Sequence, residues 1–514
     1  MFGRNCIPAW LAGAAALAAF DTQLAAAAPC AQLADLKLPH ATITGAEPVA
    51  AGAFKAAAAG GGGPGAPATD YGHLPAFCRV AGTLHPTADS DIRFEVWLPA
   101  SGWNGKFVGT GNGVWAGSIV LSSMAEPLSK GYATMATDDG HQGSPLDGSF
   151  AAGHPEKLID FGYRAVHETT VAAKELVKAF YDKPASRSLF VSCSTGGRQG
   201  LMEAYRYPKD YDGISAMAPA NPMVGLMIAS LWTGVATLKD SASQISRQKF
   251  ALVHKAVLQA CDARDGVTDG IVSRLDCDFD PQVLQCKGHD GADCLTGSQV
   301  AALRAIYAGV HNPRTGKLIY PGFQPGSEDM LPILTMGPEP FPVATTFFRA
   351  LVFRDPKWDF RNFDYDHDVE RSLQVGHADL DVPPTGVEGF LAGGRKLLLS
   401  HGMADGLIPT RSTVNFYTAL THHAAAKESA NARLFLVPGM GHCGGGEGPS
   451  VIDTLSSIDG WVGSGRAPQR IIASNPPGTA PRTRPLCPYP QQAVYTGRGS
   501  TDEEQNFRCE APAH

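Results

Sequence analysis

Short apolar runs alternate with amphipathic stretches along most of this chain. Residues 41–49 and 78–98 are β-rich, and 107–109, 132–137 and 189–191 are compact apolar runs interleaved with helical periodicity such as that of 165–181. Strands alternating with helices predict a mostly parallel α/β sheet. The alternation stops after Ala220 and resumes near Gly393, where 396–400 and 434–437 again have the pattern of buried strands. Between them lie four cysteines, an acidic loop and an aromatic-rich segment, 347–363. This interval is expected to be a lid inserted into the sheet domain, with an independent second domain as the alternative. The Ala/Gly tract 50–68 has no periodicity and is expected to be a surface loop.

Composition narrows the class. With 514 residues, 44% of them hydrophobic, the chain can bury one large core plus an insertion. The balance of 42 basic against 49 acidic residues gives a net charge of −7 without long runs of either sign, which argues against nucleic acid as a partner. Arg4, an apolar stretch over 7–20, and Ala25 to Ala28 ahead of Pro29-Cys30 form the pattern of a signal peptide cut near Ala28. A membrane anchor is disfavoured, because Asp21 breaks the run short of the ~20 residues that a spanning helix needs. Cys6 precedes the apolar stretch, which does not suit a lipoprotein. The expected organisation is a signal segment over 1–28, a body over 29–220 and 388–514, and a lid over 221–387. The expected location is secreted or periplasmic.

Removing Cys6 leaves ten cysteines, an even number that implies five disulfides in an exported protein. Short separations suggest Cys261 with Cys277, Cys286 with Cys294, and Cys487 with Cys509, which leaves Cys30 with Cys78 and Cys193 with Cys443. Spacing alone does not establish this connectivity. Zinc binding is disfavoured because CxxC-like spacings are missing.

The chemistry concentrates at three strand ends. Leu189-Phe190-Val191 runs into Ser192-Cys193-Ser194-Thr195-Gly196-Gly197, a strand-to-helix turn like the G-x-S-x-G elbow but with Ser192 in place of its first glycine. Asp405 follows the run 396–400, and His442 follows 434–437. The order Ser, Asp, His is that of α/β-hydrolases. A serine hydroxyl needs an imidazole to take its proton, and that imidazole needs a carboxylate to fix its tautomer. Ser194, His442 and Asp405 are the candidates. His401 precedes the acid and suits a structural role better, and a Cys193 thiol nucleophile does not suit an oxidising compartment. For the oxyanion hole, Thr195 offers one backbone N–H, and Gly113 or Val114 in the glycine-rich turn 109–114 offers the second. No P-loop lysine or dinucleotide fingerprint accompanies that turn.

Within 261–271, Asp262, Asp265 and Asp269 stand among glycines, and backbone carbonyls of Val267 and Ile271 could complete an oxygen shell for calcium. The loop lacks the closing glutamate of an EF-hand, since Ser273 holds that place. An acidic solvated turn is the plainer alternative. A calcium ion here would be structural.

The elbow with Cys193, Asp405, His442-Cys443 and the loop 262–271 together resemble the tannase and feruloyl esterase family of serine hydrolases, which also includes hydrolases of mono(2-hydroxyethyl) terephthalate. The resemblance extends through Trp103-Asn104-Gly105-Lys106-Phe107, Ala136-Thr137-Asp138-Asp139-Gly140-His141, Tyr211-Asp212-Gly213 and Arg484-Pro485-Leu486-Cys487-Pro488-Tyr489-Pro490. It implies an α/β-hydrolase body with a large lid inserted before the acid, structural calcium, and a Cys193–Cys443 disulfide beneath the triad. It also implies that Arg349 meets a substrate carboxylate or phenol and that Phe353 stacks on its ring, although the match over 347–353 is looser and an ordinary lid core explains that segment equally well. Val114 stands where relatives often have glycine. The expected activity is hydrolysis of small-molecule esters of aromatic acids, of feruloyl, galloyl or terephthaloyl type. A secreted serine peptidase on the same fold and a calcium-stabilised binding protein without catalysis are the alternatives. The sequence leaves the oligomeric state open.

Overall fold

A computed structural model describes residue 1 and residues 29–56 and 69–511. The expected signal segment therefore falls outside the described residues except for Met1, as does 57–68 of the Ala/Gly tract. Among the described residues, no helix is long and apolar enough to cross a membrane.

Nine strands form one sheet: β1 Ala41–Val49, β2 Phe77–Leu84, β3 Ile92–Pro99, β4 Lys106–Gly109, β5 Ala133–Thr137, β6 Arg187–Cys193, β7 Gly213–Met217, β8 Lys396–Gly402 and β9 Ala432–Val437. Their spatial order is β1-β2-β3-β5-β4-β6-β7-β8-β9. The first four in that order pair antiparallel and the rest parallel. Every residue of β5 is buried, as is all of β8 after Lys396. That is the pattern of strands covered on both faces.

Helices supply the covers. On one face pack α1, Ala165–Tyr181, and α2, Thr195–Arg206, whose Val166, Ala173, Val177 and Leu201 meet Phe107, Met135, Phe190 and Ile214. The other face receives Leu455, Ile458 and Trp461 of the helix Thr454–Ser464, against Val108, Leu189, Leu398 and Phe435. These strands and helices form an α/β-hydrolase fold.

Between β7 and β8 the chain leaves the sheet. This insert opens with α3, Met223–Leu238, apolar around nearly its whole circumference, and continues with α4, Arg247–Cys261. A helix apolar all round must be buried on every side. Accordingly Val224, Met227 and Leu231 share a core with Phe347, Phe348 and Val352 of the insert, and with Trp115 and Phe161 of the body. Trp115 Nε1 also donates to the Val343 carbonyl at 2.9 Å, so the seam between insert and body is packed and hydrogen-bonded.

Five disulfides join Cys30–Cys78, Cys193–Cys443, Cys261–Cys277, Cys286–Cys294 and Cys487–Cys509. Cys193–Cys443 spans 250 residues of sequence and connects the end of β6 to the loop that follows β9.

Candidate active site

β6, β8 and β9 run parallel in one sheet, with β7 between β6 and β8, and the segment that follows each carries one polar side chain of the site. Ser194 follows β6 with φ 63° and ψ −126°, a conformation costly for a side-chain-bearing residue. The surroundings hold it there: Ser194 N–H donates to the Met217 carbonyl at 3.0 Å, and its own carbonyl accepts from Ala220 N–H at 3.0 Å. The glycines that follow are needed for close approach. A Cβ on Gly196 would lie 1.9 Å from Ser192 Oγ, and one on Gly197 would lie 2.6 Å from the Met217 carbonyl oxygen. Ser192, which departs from the elbow pattern, accepts the Gly111 N–H at 3.2 Å and so ties the elbow to the neighbouring turn.

His442 Nε2 lies 2.9 Å from Ser194 Oγ, and its Nδ1 lies 2.7 Å from Asp405 Oδ2. The other oxygen of Asp405 accepts the N–H groups of Leu407 and Ile408 at 2.8 and 2.9 Å. Burial acts to raise the pKa of this carboxyl, but His442 and His401 outweigh it and hold the group below the usual carboxylate range. His401 is fully buried, with Nδ1 at 2.7 Å from Thr413 Oγ1 and Nε2 at 3.2 Å from Asp405 Oδ2. It therefore contacts the same carboxylate oxygen as His442, and its Nε2 also lies 3.0 Å from the Ile408 carbonyl.

The turn after β4 is built to hold backbone toward Ser194. Asn112 N–H donates to Gln199 Oε1 at 2.9 Å, its side chain donates to the Thr137 carbonyl at 2.8 Å, and its carbonyl accepts from Gly196 N–H at 2.8 Å. Gln199 in turn donates to Asp139, a buried residue whose pKa is raised by burial and lowered in part by Arg198. The sequence motif around Asp138-Asp139 thus buttresses this turn. Val114 has φ 47°, accepts from Thr195 Oγ1 at 2.8 Å, and lines the same pocket as Ser194, Thr195 and His442. Gly113 is not among the residues lining it, and a Cβ there would meet open space.

That pocket is apolar. Met223, Leu226, Met227 and Ser230 of α3, with Leu334, Phe341 and Val343, form walls from the insert, and Leu407 and Ile408 close it from the body. Arg349 and Phe353 do not line it. The Arg349 guanidinium is engaged by Glu339 at 2.8 and 2.6 Å, and its Nε donates to the Trp358 carbonyl. Phe353 stacks on Trp358 at 4.4 Å. Both are engaged by partners within the insert, and the substrate-contacting roles that the resemblance implied are not placed at this pocket. The wall residues of α3 were missed because an all-apolar helix shows no functional face in sequence.

The acidic loop is compact. Asp262 accepts the N–H groups of Asp269 and Gly270 at 3.1 and 2.9 Å, and Asp265 accepts that of Val267 at 2.9 Å. Val267 and Ile271 are both buried. Asp269 pairs through one oxygen with Arg484, and its other oxygen is buried without a partner. Burial raises the pKa of both Asp265 and Asp269, and neighbouring carboxylates add to it. An unpartnered buried oxygen among three aspartates fits a hard cation.

The sequence profile described as tannase and feruloyl esterase matches residues 78–510. The chain belongs to this family. An uncharacterized esterase of Xanthomonas campestris pv. campestris is 37% identical over 99% of this chain and 96% of its own length. Feruloyl esterase C of Talaromyces stipitatus is 31% identical over 93% of this chain and 94% of its own. The crystal structure of feruloyl esterase B from Aspergillus oryzae superposes with a TM-score of 0.85 at 29% identity, covering 94% of this chain and 99% of that one. This tannase and feruloyl esterase family member is a carboxylic ester hydrolase.

Proposed function

We propose that the chain is an exported serine esterase that cleaves esters of aromatic acids through an acyl-enzyme. The observation that carries the reading is the unbroken chain from Ser194 Oγ through His442 to Asp405, at 2.9 and 2.7 Å. Ser194 attacks the ester carbonyl while His442 Nε2 takes its proton, and Asp405 fixes the tautomer and stabilises the imidazolium. The N–H groups of Thr195 and Val114 hold the oxyanion, the pocket-lining position of Val114 favouring it over Gly113. His442 then protonates the leaving alcohol, and water returns along the same path to release the acid.

Apolar walls favour an aromatic acyl group. The lining includes no carboxylate, lysine or arginine, which supports neutral hydroxycinnamoyl or galloyl esters over the charged terephthaloyl type and gives no anchor for a peptide terminus. Asp262, Asp265 and Asp269, with carbonyls of Val267 and Ile271, would hold a calcium ion that supplies charge balance to the loop. Five disulfides support an oxidising location, secreted or periplasmic. The test is labelling with a serine-directed phosphonate followed by a panel of feruloyl, p-coumaroyl, galloyl and terephthaloyl esters. Label on Ser194 and a preference for an uncharged acyl ring are expected. Label elsewhere, or a preference for terephthaloyl esters, refutes the respective half.

A further inference from the structure

A convergence of ligand-type side chains lies outside the acidic loop, where the insert meets the body. One atom each from His254 on α4, Asp329 and Glu447 lie within 4.8 Å of one another. His254 is only 7% exposed, and its Nδ1 lies 2.8 Å from Glu328 Oε2. Glu328 is fully buried and itself anchored, accepting from the Tyr307 hydroxyl at 2.7 Å and from Gly326 N–H at 2.9 Å. With its oxygens already taken by other donors, Glu328 fixes the ring through Nδ1 and leaves Nε2 as the nitrogen that faces outward. There Nε2 lies 3.0 Å from Glu447 Oε2 and 3.9 Å from Asp329 Oδ2, buried and without a well-aligned hydrogen bond.

A carboxylate fixing one ring nitrogen while the other faces two further carboxylates is the arrangement that metal-bound histidines use. By contrast, the group His167, Glu203 and Asp210 has Lys174 beside it, donating to the Asp210 carbonyl, and so already holds an internal cation.

We propose that His254, Asp329 and Glu447 form a site for a divalent transition-metal ion such as zinc, with Glu328 as the residue that orients His254. One imidazole and two carboxylates suit a borderline ion, with water completing the shell. The location gives the site a consequence. Asp329 precedes Met330, whose Sδ lies 3.3 Å from His442 N, and Glu447 sits just beyond the same loop, which Gly441 N–H closes onto the Gly445 carbonyl. A bound ion would fasten the insert to the His442 loop.

The test uses the full-length mature protein, stripped with chelator and returned to saturating calcium so that the acidic loop is not the site read. Cobalt(II) should then bind at one per chain with visible d–d absorption, and zinc should displace it. Glu447→Gln and Asp329→Asn, whose side chains are 43% and 61% exposed, should each weaken zinc binding at least tenfold by calorimetry. Glu328→Gln should weaken it roughly 10–100-fold. Should Glu328→Gln fail to fold, the two exposed variants decide the matter. No saturable cobalt or zinc uptake in the presence of calcium, or equal affinity in the wild type and both exposed variants, overturns the site.

Discussion

The sheet body and the insert contribute to one pocket by different means. The body places Ser194, Asp405 and His442 at the ends of parallel strands, where backbone geometry fixes each side chain. The insert contributes Met223, Leu226, Met227, Leu334 and Phe341 from helical and irregular segments, where only packing fixes them. On the proposed function, the difference separates chemistry from selectivity: strand ends are hard to move, whereas a wall of methionine and leucine adapts.

The sharpest break is Ser194→Ala. If the strand ends hold the chemistry, kcat/KM on a feruloyl ester should fall by roughly 10⁴–10⁶ with the melting temperature nearly unchanged. Substantial turnover in the folded variant would remove the body's side of the comparison. Next comes the pair Cys193→Ala with Cys443→Ala, which releases the register between the end of β6 and the loop that follows β9. Activity should drop on the order of a hundredfold while far-ultraviolet circular dichroism stays native, since ~1 Å of displacement has that effect.

The insert is probed by Phe341→Ala. Losing part of the acyl wall should reduce kcat/KM for feruloyl esters by about 10-fold, in line with ~1–3 kcal/mol for an apolar contact, and leave acetyl esters nearly unaffected. Equal losses on both substrates would mean that the wall supports the catalytic residues rather than selecting the acyl group. Calcium chelation, or Asp265→Asn, should lower the melting temperature by a few degrees, with residual activity preserved in the cold. An unchanged transition after exhaustive chelation, with no calcium by elemental analysis, would reduce the loop to an acidic turn.

The smallest effect belongs to Asp138. Its carboxyl is buried, with one oxygen accepting from Arg93 and Gly140 N–H groups and the other unpartnered, and burial pushes its pKa up to about 7. The folded state therefore keeps a proton that the unfolded chain releases near pH 4, so stability falls as pH rises from about 4 to about 7. Asp138→Asn mimics the protonated form and should raise the melting temperature at pH 8 by about 1–3 °C, with little change at pH 4. The same shift at both pH values would refute the assignment.

Much of the body was legible because its signals are local. The helix expected over 165–181 matches Ala165–Tyr181, and the apolar runs leading to Ser194, Asp405 and His442 lie in β6, β8 and β9. The five cysteine pairs also follow the expected connectivity. Gln199 was passed over because its bond to Asn112 spans 87 residues of sequence and belongs to no motif. In the insert the signals are less direct. Arg349 and Phe353 have the composition of a ligand site, yet Glu339 and Trp358 satisfy them nearby. Glu328 and Glu447 reach His254 from separate segments that no periodicity connects.

The ion pair between Arg484 and Asp269 also orders events in time. These partners are 215 residues apart, and Arg482 from the same late segment donates to the Asp269 carbonyl. At synthesis rates of 5–20 residues per second, roughly ten to forty seconds separate the emergence of the loop from that of the arginine that answers it. During that interval the insert can build its own disulfides and core, but its acidic loop has no cation from the body. One contact of the insert is therefore supplied only by the carboxyl-terminal segment, and a chain cut short before Arg484 lacks it.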